Sequence, residues 1–278
     1  MNSKTIAGAW RDAASGGLDR LDAQILLLHA LGRDSQDRAW LLAHDADTLP
    51  GPTAQVFEAL CRRRAEGEPV AYLTGGREFF GLRLQVDARV LDPRPDTETL
   101  VEWALALPGL PTAARVIDLG TGSGAIALAL KSQRPRWAVS ALDASADALA
   151  VARANAQRLA LAIDFAAGHW LRGRPGPYDL IVSNPPYVAS ADPHLAALRH
   201  EPLQALASGP DGLDDLRAIV AQAPACLAPG GWLLLEHGHD QAGAVRDLLA
   251  QQGFTAVASR KDLAGIERCS GAQWPEKG

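Results

Sequence analysis

A chain of 278 residues is longer than most single domains, and its 47% hydrophobic and 21% charged content is that of a core-forming globular protein. A formal net charge of −5 argues against a protein that coats DNA or RNA, while leaving room for a local basic patch. Cys61, Cys226 and Cys269 lie far apart with no metal-ligand spacing, Met1-Asn2-Ser3-Lys4 lacks the apolar run of a signal peptide, and no stretch is apolar for long enough to span a bilayer; a cytoplasmic, metal-free protein with reduced thiols is expected.

Residues 5–65 read as helical. Leu18, Leu21, Ile25 and Leu28 recur at helical spacing, Leu26 and Leu27 widen the stripe, and Gly32 is placed to end the helix. A second helix is predicted over Arg38–Ala43. After the break at Pro50-Gly51-Pro52, a third runs from Thr53 to Glu66 with Val56, Phe57 and Leu60 inward. Arg62-Arg63-Arg64 fall at its end, where cations complement the helix dipole. Residues 1–70 are therefore expected to form a small all-α domain. Residues 71–92 carry a glycine turn at Gly75-Gly76 and alternation at Leu82, Leu84 and Val86, which predicts a β-hairpin linker. In Pro93-Arg94-Pro95-Asp96-Thr97-Glu98 the prolines delay the next helix, Glu98–Leu107, until Asp96 or Thr97 can cap it. Capping leaves Arg94 and Glu98 unexplained.

Residues 93–278 then alternate strand and helix. Arg115–Leu119 is a strand, Gly120–Gly124 a glycine loop and Ala125–Lys131 a helix. Strand Trp137–Leu142 ends in Asp143, helix 147–159 follows, and Ile163–Ala167 is a weaker strand. Asp179–Ser183 is an apolar strand stopped by Asn184-Pro185-Pro186-Tyr187, since neither proline has an N–H for a ladder. A helix over Leu213–Leu227, a Pro229-Gly230-Gly231 turn, strand Trp232–Glu236 and helix Gln241–Gln252 come next. The last strands, Phe254–Ser259 and Ile266–Gln273, are joined by only Asp262-Leu263-Ala264-Gly265 at their closest, too short for a crossover, so the final strand is expected to be antiparallel on an otherwise parallel α/β sheet.

Two features carry chemistry. The glycines of Gly120-Thr121-Gly122-Ser123-Gly124 let backbone approach a ligand at a helix N-terminus, and Asp143, 19 residues beyond Gly124, can bind the two hydroxyls of a ribose. Together they indicate a nucleoside-containing cofactor. Gly120-x-Gly122-x-x-Ala125 also satisfies the loose dinucleotide fingerprint, but a nicotinamide enzyme would need a hydride-acceptor site, and none is evident. The second feature is Asn184–Tyr187 at a strand's C-terminal end, where open α/β sheets bind ligands. Asn184 Oδ1 and the Pro185 carbonyl can accept both N–H bonds of a planar NH2 group while Tyr187 packs on its face. Such a nitrogen is a poor nucleophile because its lone pair is delocalised, the same conjugation that gives a peptide bond a rotation barrier of about 18–20 kcal/mol. Fixing it favours charge developing there as it attacks. Glu201 reads equally as a brace for the loop after Tyr187 or as a substrate contact. His237 and His239 lack a third partner at metal-ligand spacing.

The glycine loop, Asp143 and Asn184–Tyr187 resemble the amino-methyltransferases, which use S-adenosylmethionine (SAM) on DNA adenine, ribosomal RNA or protein glutamine. Thr74–Phe80, Pro93–Glu98, Glu201–Leu206 and Leu235–Gly238 resemble, more narrowly, the protein-(glutamine-N5) methyltransferases of peptide chain release factors, over nearly the whole chain. The resemblance implies a Rossmann-like SAM methyltransferase sheet with a terminal antiparallel strand, and a helical domain that docks the substrate. It implies methylation of the glutamine of the release factor's Gly-Gly-Gln loop, in translation termination, by a monomer with no direct nucleic-acid partner. The alternative is transfer to a nucleic-acid base. Asn184, Pro185, Pro186 and Tyr187 would hold the glutamine; Gly120, Thr121, Gly122, Ser123, Gly124, Asp143, Trp170 and Asn184 would contact SAM, with Arg94–Glu98 bordering the pocket. One departure from the family stands at Gly168-His169-Trp170, where a histidine replaces the acidic residue that commonly precedes the aromatic. His169 can accept from the adenine amino group in one tautomer only, and reads equally as an exposed loop residue.

Overall fold

The computed structural model describes residues 4–276; residues 1–3, read above for targeting, lie outside them. The chain separates into two compact units, Met1–Gly76 and Arg77–Gly278, so the division falls inside the stretch expected to be a linker.

The first unit contains α1 (Ile6–Ser15), α2 (Arg20–Ala30), α3 (Arg38–Ala43), α4 (Gly51–Ala65) and α5 (Val70–Thr74). Thr5 caps α1 by accepting from the Gly8 N–H, and Asp19 caps α2 by accepting from Leu21 and Asp22. Its core gathers Trp10, Leu26, Leu27, Leu41, Phe57 and Leu73 among others; each fully buried leucine contributes about 1.5–3 kcal/mol. The buried face of α2 is Ala23, Gln24 and Leu26–Leu28, not the Leu21–Ile25 line: Leu21 is exposed. Val56, expected inward, is 50% exposed, whereas Phe57 and Leu60 are buried. Helix α4 starts at Gly51, before the expected Thr53, because Pro52 sits in its first turn, where no N–H is required.

The second unit opens with the hairpin β1 (Gly76–Phe79) and β2 (Leu82–Gln85), whose two-residue loop Phe80-Gly81 has φ of 50° and 77°. Gly75, read as part of a hairpin turn, is instead the left-handed cap of α5. The main sheet has seven strands in the order β5-β4-β3-β6-β7-β9-β8. These are β3 (Arg115–Leu119), β4 (Ala138–Asp143), β5 (Asp164–Ala167), β6 (Tyr178–Ser183), β7 (Leu227–Glu236), β8 (Thr255–Lys261) and β9 (Glu267–Gln273). Strands β3 to β7 pair in parallel, and β9 is antiparallel to both its neighbours, as its short connection to β8 requires. Strand β6 lies centrally between β3 and β7, so Leu180, Ile181 and Val182 are fully buried and read as an unbroken apolar run.

Helices α6 (Glu98–Ala106), α7 (Ala125–Gln133), α8 (Ala146–Arg158), α9 (Asp214–Gln222) and α10 (Ala242–Gln251) complete the unit. Every residue from Ala125 to Leu130 is buried, because α7 packs on β3, β4 and α6. Helix α9 stops short of the expected Leu227: Pro224 turns the chain into a single 3-10 turn, Ala223–Ala225. The Pro229-Gly230-Gly231 segment lies within β7 rather than before it. Tyr178 pairs with Leu227 and Leu180 with Trp232, so the extra residues bulge out of the ladder.

Candidate active site

Strand register builds the site. Leu119 lies opposite Leu142 on one side and Ser183 on the other, and Ser183 lies opposite Leu235. The next residue of each strand or loop is Asp143, Gly120, Asn184 and Glu236, so these four share one level at the C-terminal edge of the parallel strands. A cavity of about 380 Å³ opens there, lined by Gly120, Gly122, Asp143, Trp170 and Asn184 among others. Small-molecule sites run from roughly 300 to 1,000 Å³.

Backbone conformation shapes one side of the cavity. Gly120, Gly122 and Gly124 have φ of 68°, 55° and 86°, left-handed values that cost L-residues energy. A Cβ on Gly120 would stand 3.3 Å from the Trp170 ring and one on Gly124 would stand 3.0 Å from Leu128, whereas one on Gly122 would meet nothing within 4 Å. Gly122 therefore keeps cavity space open. Asp118 is fully buried beneath the loop. Its Oδ2 accepts from the Thr121 hydroxyl at 2.6 Å and the Ala127 N–H at 3.2 Å, while Oδ1 has no partner. Burial pushes its carboxyl up to about 7, against the two hydrogen bonds, which lower it. Asp143 accepts from Gly122 N–H through Oδ2 (2.9 Å) and from Ser145 N–H through Oδ1 (2.8 Å), leaving each oxygen further acceptor capacity. Asn155, fully buried on α8, fastens the loop to the hairpin: its Nδ2 donates to Gln85 O and Ser123 O, and its Oδ1 accepts from Gln85 N–H.

Trp170 has φ of 52° and is 8% exposed, with its indole N–H donating to Asp215 Oδ1 at 3.1 Å. His169 is exposed on the cavity rim, its ring edge-on to Trp170 with centroids 5.3 Å apart.

Side chains shape the other side. Asn184 Nδ2 donates to Thr97 Oγ1 at 3.2 Å, which leaves Oδ1 as its second polar atom. Thr97 was expected to be a helix cap, yet it makes no cap bond. It ends a 3-10 turn with helical φ and ψ, and its buried hydroxyl accepts from Asn184 instead. Glu236 ends β7, is 1% exposed, and accepts from Tyr187 Oη at 3.4 Å, while its Oε2 has no partner. Burial pushes its carboxyl up to about 7, with the Thr97 bond opposing. Burial and the adjacent Glu236 push the Tyr187 phenol up as well. The Tyr187 carbonyl accepts from Gln241 Nε2.

Arg94 lines the cavity and donates through Nη2 to Glu201 Oε1 at 2.5 Å; the same carboxylate accepts from Asp92 N–H. Glu201 thus braces the loop after Tyr187 against the segment before α6. Glu98 accepts from the Phe80 N–H in the hairpin loop, which accounts for it without the cavity. Of the residues singled out in the sequence, Arg94, Gly120, Thr121, Gly122, Ser123, Asp143, His169, Trp170, Asn184 and Pro186 line the cavity; Gly124, Pro185 and Tyr187 are not part of its lining. Arg94 and Thr97 line the cavity, within the Arg94–Glu98 segment expected to border it; the bond of Thr97 to Asn184 was not assigned, and sequence reasoning missed Asp215 and Glu236 as site residues. Glu236 carried a signal, a carboxylate directly after an apolar strand, like Asp143. Asp215 carried none. No cluster of His, Cys, Asp or Glu suited to a metal occurs among the described residues.

Fold and site together define a methyltransferase: residues 97–257 match the methyltransferase small domain, and residues 12–75 match the PrmC N-terminal domain. The release factor glutamine methyltransferase of Bordetella pertussis is 52% identical over 93% of this chain and 96% of its own length, and that of Xylella fastidiosa (strain Temecula1) is 50% identical over 95% and 96%. A solved methyltransferase from Pyrococcus furiosus superposes with a TM-score of 0.55 at 18% identity, over 71% of this chain and 91% of its own, a likeness of fold. The chain belongs to the release factor glutamine methyltransferase family.

Proposed function

We propose that this protein uses SAM to methylate the side-chain nitrogen (N5) of the glutamine in the Gly-Gly-Gln motif of peptide chain release factors, acting as a monomer in the cytoplasm with no direct nucleic-acid partner. The observation that carries the reading is the shared level of Gly120, Asp143 and Asn184 along one cavity, with the Asn184 NH2 committed to Thr97. The cavity fits SAM: Gly122 leaves open space in its wall, and the Asp143 oxygens retain acceptor capacity for ribose hydroxyls. Gly120–Gly124, Asp143, Trp170 and Asn184 hold SAM in this reading. SAM, when bound, supplies an activated methyl group. Asn184 Oδ1 and the Pro185 carbonyl accept the two N–H bonds of the glutamine amide and favour positive charge developing on its nitrogen, while Pro186 and Tyr187 confine the amide plane. Solvent takes the released proton. The helical segment 1–70 docks the release factor, and 71–92 links it to the catalytic segment 93–278.

Incubation with methyl-labelled SAM, a release factor, bulk ribosomal RNA and DNA tests this. Label is expected on the release factor, at the Gly-Gly-Gln glutamine by peptide mass analysis. Label confined to nucleic acid overturns the reading.

A further inference from the structure

The Asn184–Tyr187 turn is anchored at both ends. At its start, Ser183 pairs with Leu119 and Leu235, and its hydroxyl donates to Leu119 O at 2.7 Å. Pro185 and Pro186 then lock two φ angles, so Tyr187 is the first residue after them whose φ is not fixed by a ring. The peptide that follows Tyr187 is held on both sides. Its N–H, that of Val188, donates to Leu206 O at 2.8 Å, and its carbonyl, that of Tyr187, accepts from Gln241 Nε2 at 3.0 Å. Gln241 stands just before α10, and its carboxamide has main-chain partners throughout. Oε1 accepts from Gly238 N–H at 2.8 Å, and Nε2 also reaches Asp211 O at 3.4 Å. An N–H only donates and a carbonyl only accepts, so these partners permit one orientation of the amide. The fit is close. Gly212, with φ of 76°, passes so near that a Cβ there would overlap the Tyr187 carbonyl oxygen, and a Cβ on Gly238 would stand 3.0 Å from Gln241 Oε1. Gly238 is itself fastened to the sheet: its carbonyl accepts from Gln241 N–H and from Nδ1 of the fully buried His237, whose Nε2 accepts from the Ser270 hydroxyl on β9 at 2.8 Å.

We propose that Gln241 is a positioning residue for methyl transfer: by fixing the peptide after Tyr187, it sets where the Tyr187 ring stands against the acceptor amide. The inference rests on the function proposed above. With both bonds in place the plane of this peptide cannot rotate; with the Gln241 bond gone, only the Val188 N–H restrains it, and the direction in which Tyr187 leaves the two prolines is no longer set. The Tyr187 hydroxyl, at 3.4 Å from Glu236, holds the far end of the ring but not its root. Gln241 is not part of the cavity lining, so its influence falls on the acceptor side and leaves the cofactor side as it is.

The test uses the full-length enzyme with Gln241→Glu and Gln241→Met. The glutamate keeps an acceptor for Gly238 N–H but, ionised at pH 8, turns an oxygen without a proton toward the Tyr187 and Asp211 carbonyls; the methionine keeps the length and removes both bonds. A residue that only secured the start of α10 through Gly238 would be served by glutamate as well as by glutamine. Single-turnover transfer to a release factor at saturating SAM is expected to slow at least about tenfold in both variants, while SAM affinity by calorimetry stays within about threefold of wild type. A second readout needs no substrate. The chain has three tyrosines, Tyr72, Tyr178 and Tyr187, so 13C-tyrosine labelling yields three carbonyl signals and three ring patterns. The Tyr187 set, assigned by its loss in Tyr187→Phe, should shift in both variants, with the Tyr72 and Tyr178 sets unmoved. A Gln241→Glu enzyme that transfers within threefold of the wild-type rate, or whose Tyr187 signals coincide with those of wild type, overturns the inference, as does slowed transfer matched by an equal loss of SAM affinity. If Gln241→Met fails to fold, Gln241→Glu decides alone. Absence of label from wild type on any release factor overturns the proposed function instead, and the Tyr187 signals still decide this one.

Discussion

The two sides of the cavity are built by opposite means. On the β3–β4 side the ligand-facing surface is main chain: left-handed glycines, an open position at Gly122, and amides already bonded to Asp143. On the β6–β7 side it is side chain. Asn184 and Thr97 line the cavity and bond to each other, and Tyr187, just past Asn184, donates to the buried Glu236 at the end of β7. The first side is local, a loop of five residues and the end of the neighbouring strand. The second joins residues 49 and 87 positions apart in the sequence (187 to 236 and 97 to 184). A main-chain site tolerates replacement of nearby side chains but not of its glycines, whereas a side-chain site fails when one of its hydrogen-bonding groups is altered.

The largest expected effect tests the side-chain half. Asn184→Ala should lower the transfer rate by about 10² to 10³-fold, the cost of losing one donor or acceptor aimed at developing charge. SAM affinity and the melting temperature should fall far less, since Nδ2 has a single partner. A rate within threefold of wild type would remove Asn184 from the reaction and make both halves scaffolds.

Each half also covers a buried carboxyl pushed up to about 7, Asp118 beneath the glycine loop and Glu236 beneath Asn184. Both are raised above their unfolded values, so the native state binds these protons more tightly. Stability from this source falls as pH rises from about 4 to 7, and above 7 the full cost of ionised burial remains, on the order of 3–4 kcal/mol for each carboxyl. Urea midpoints at pH 5.5 and 8 should show this slope, and Asp118→Asn or Glu236→Gln should each flatten part of it. A slope unchanged in both variants would show that neither carboxyl titrates in this range.

Gly122→Val probes the main-chain half more gently. A β-branched residue at φ of 55° is strained by about 1–3 kcal/mol, and its side chain would enter open cavity space. SAM affinity measured by calorimetry should weaken at least about tenfold, with the transfer rate at saturating SAM nearer wild type. Unchanged affinity would place SAM elsewhere than against Gly122.

What was legible in the sequence follows the same division. The βα alternation, the antiparallel last strand and the glycine loop are set by neighbours in the chain, and strand ends at Asp143 and Ser183 show as apolar runs meeting a polar residue or proline. Thr97 misled because a threonine before a helix is sufficient for capping; only the approach of Asn184, far along the chain, gives its hydroxyl another task. Val56 misled because helical spacing marks an apolar face without saying what covers it, and its side chain is half exposed. The bulge that takes Pro229-Gly230-Gly231 into β7 depends on pairing with β6, which no local pattern reports.

The smallest expected effect concerns His169, exposed on the rim of the cavity. Trp170 is held by its indole N–H, bonded to Asp215 on α9, and packs close to Gly120, where an added Cβ would stand 3.3 Å from its ring. His169 has no such support. Its exposed ring touches Trp170 only edge-on, an arrangement worth about 0.5–1.5 kcal/mol when well packed and less in water. If the wall of the cavity here is Trp170 and its brace, His169→Ala should change SAM affinity by less than about threefold, while Trp170→Phe, which keeps an aromatic ring but leaves Asp215 Oδ1 without its donor, should cost about fivefold or more. The reverse ranking in calorimetric titrations would make the exposed imidazole, rather than the braced indole, the group that receives the adenine.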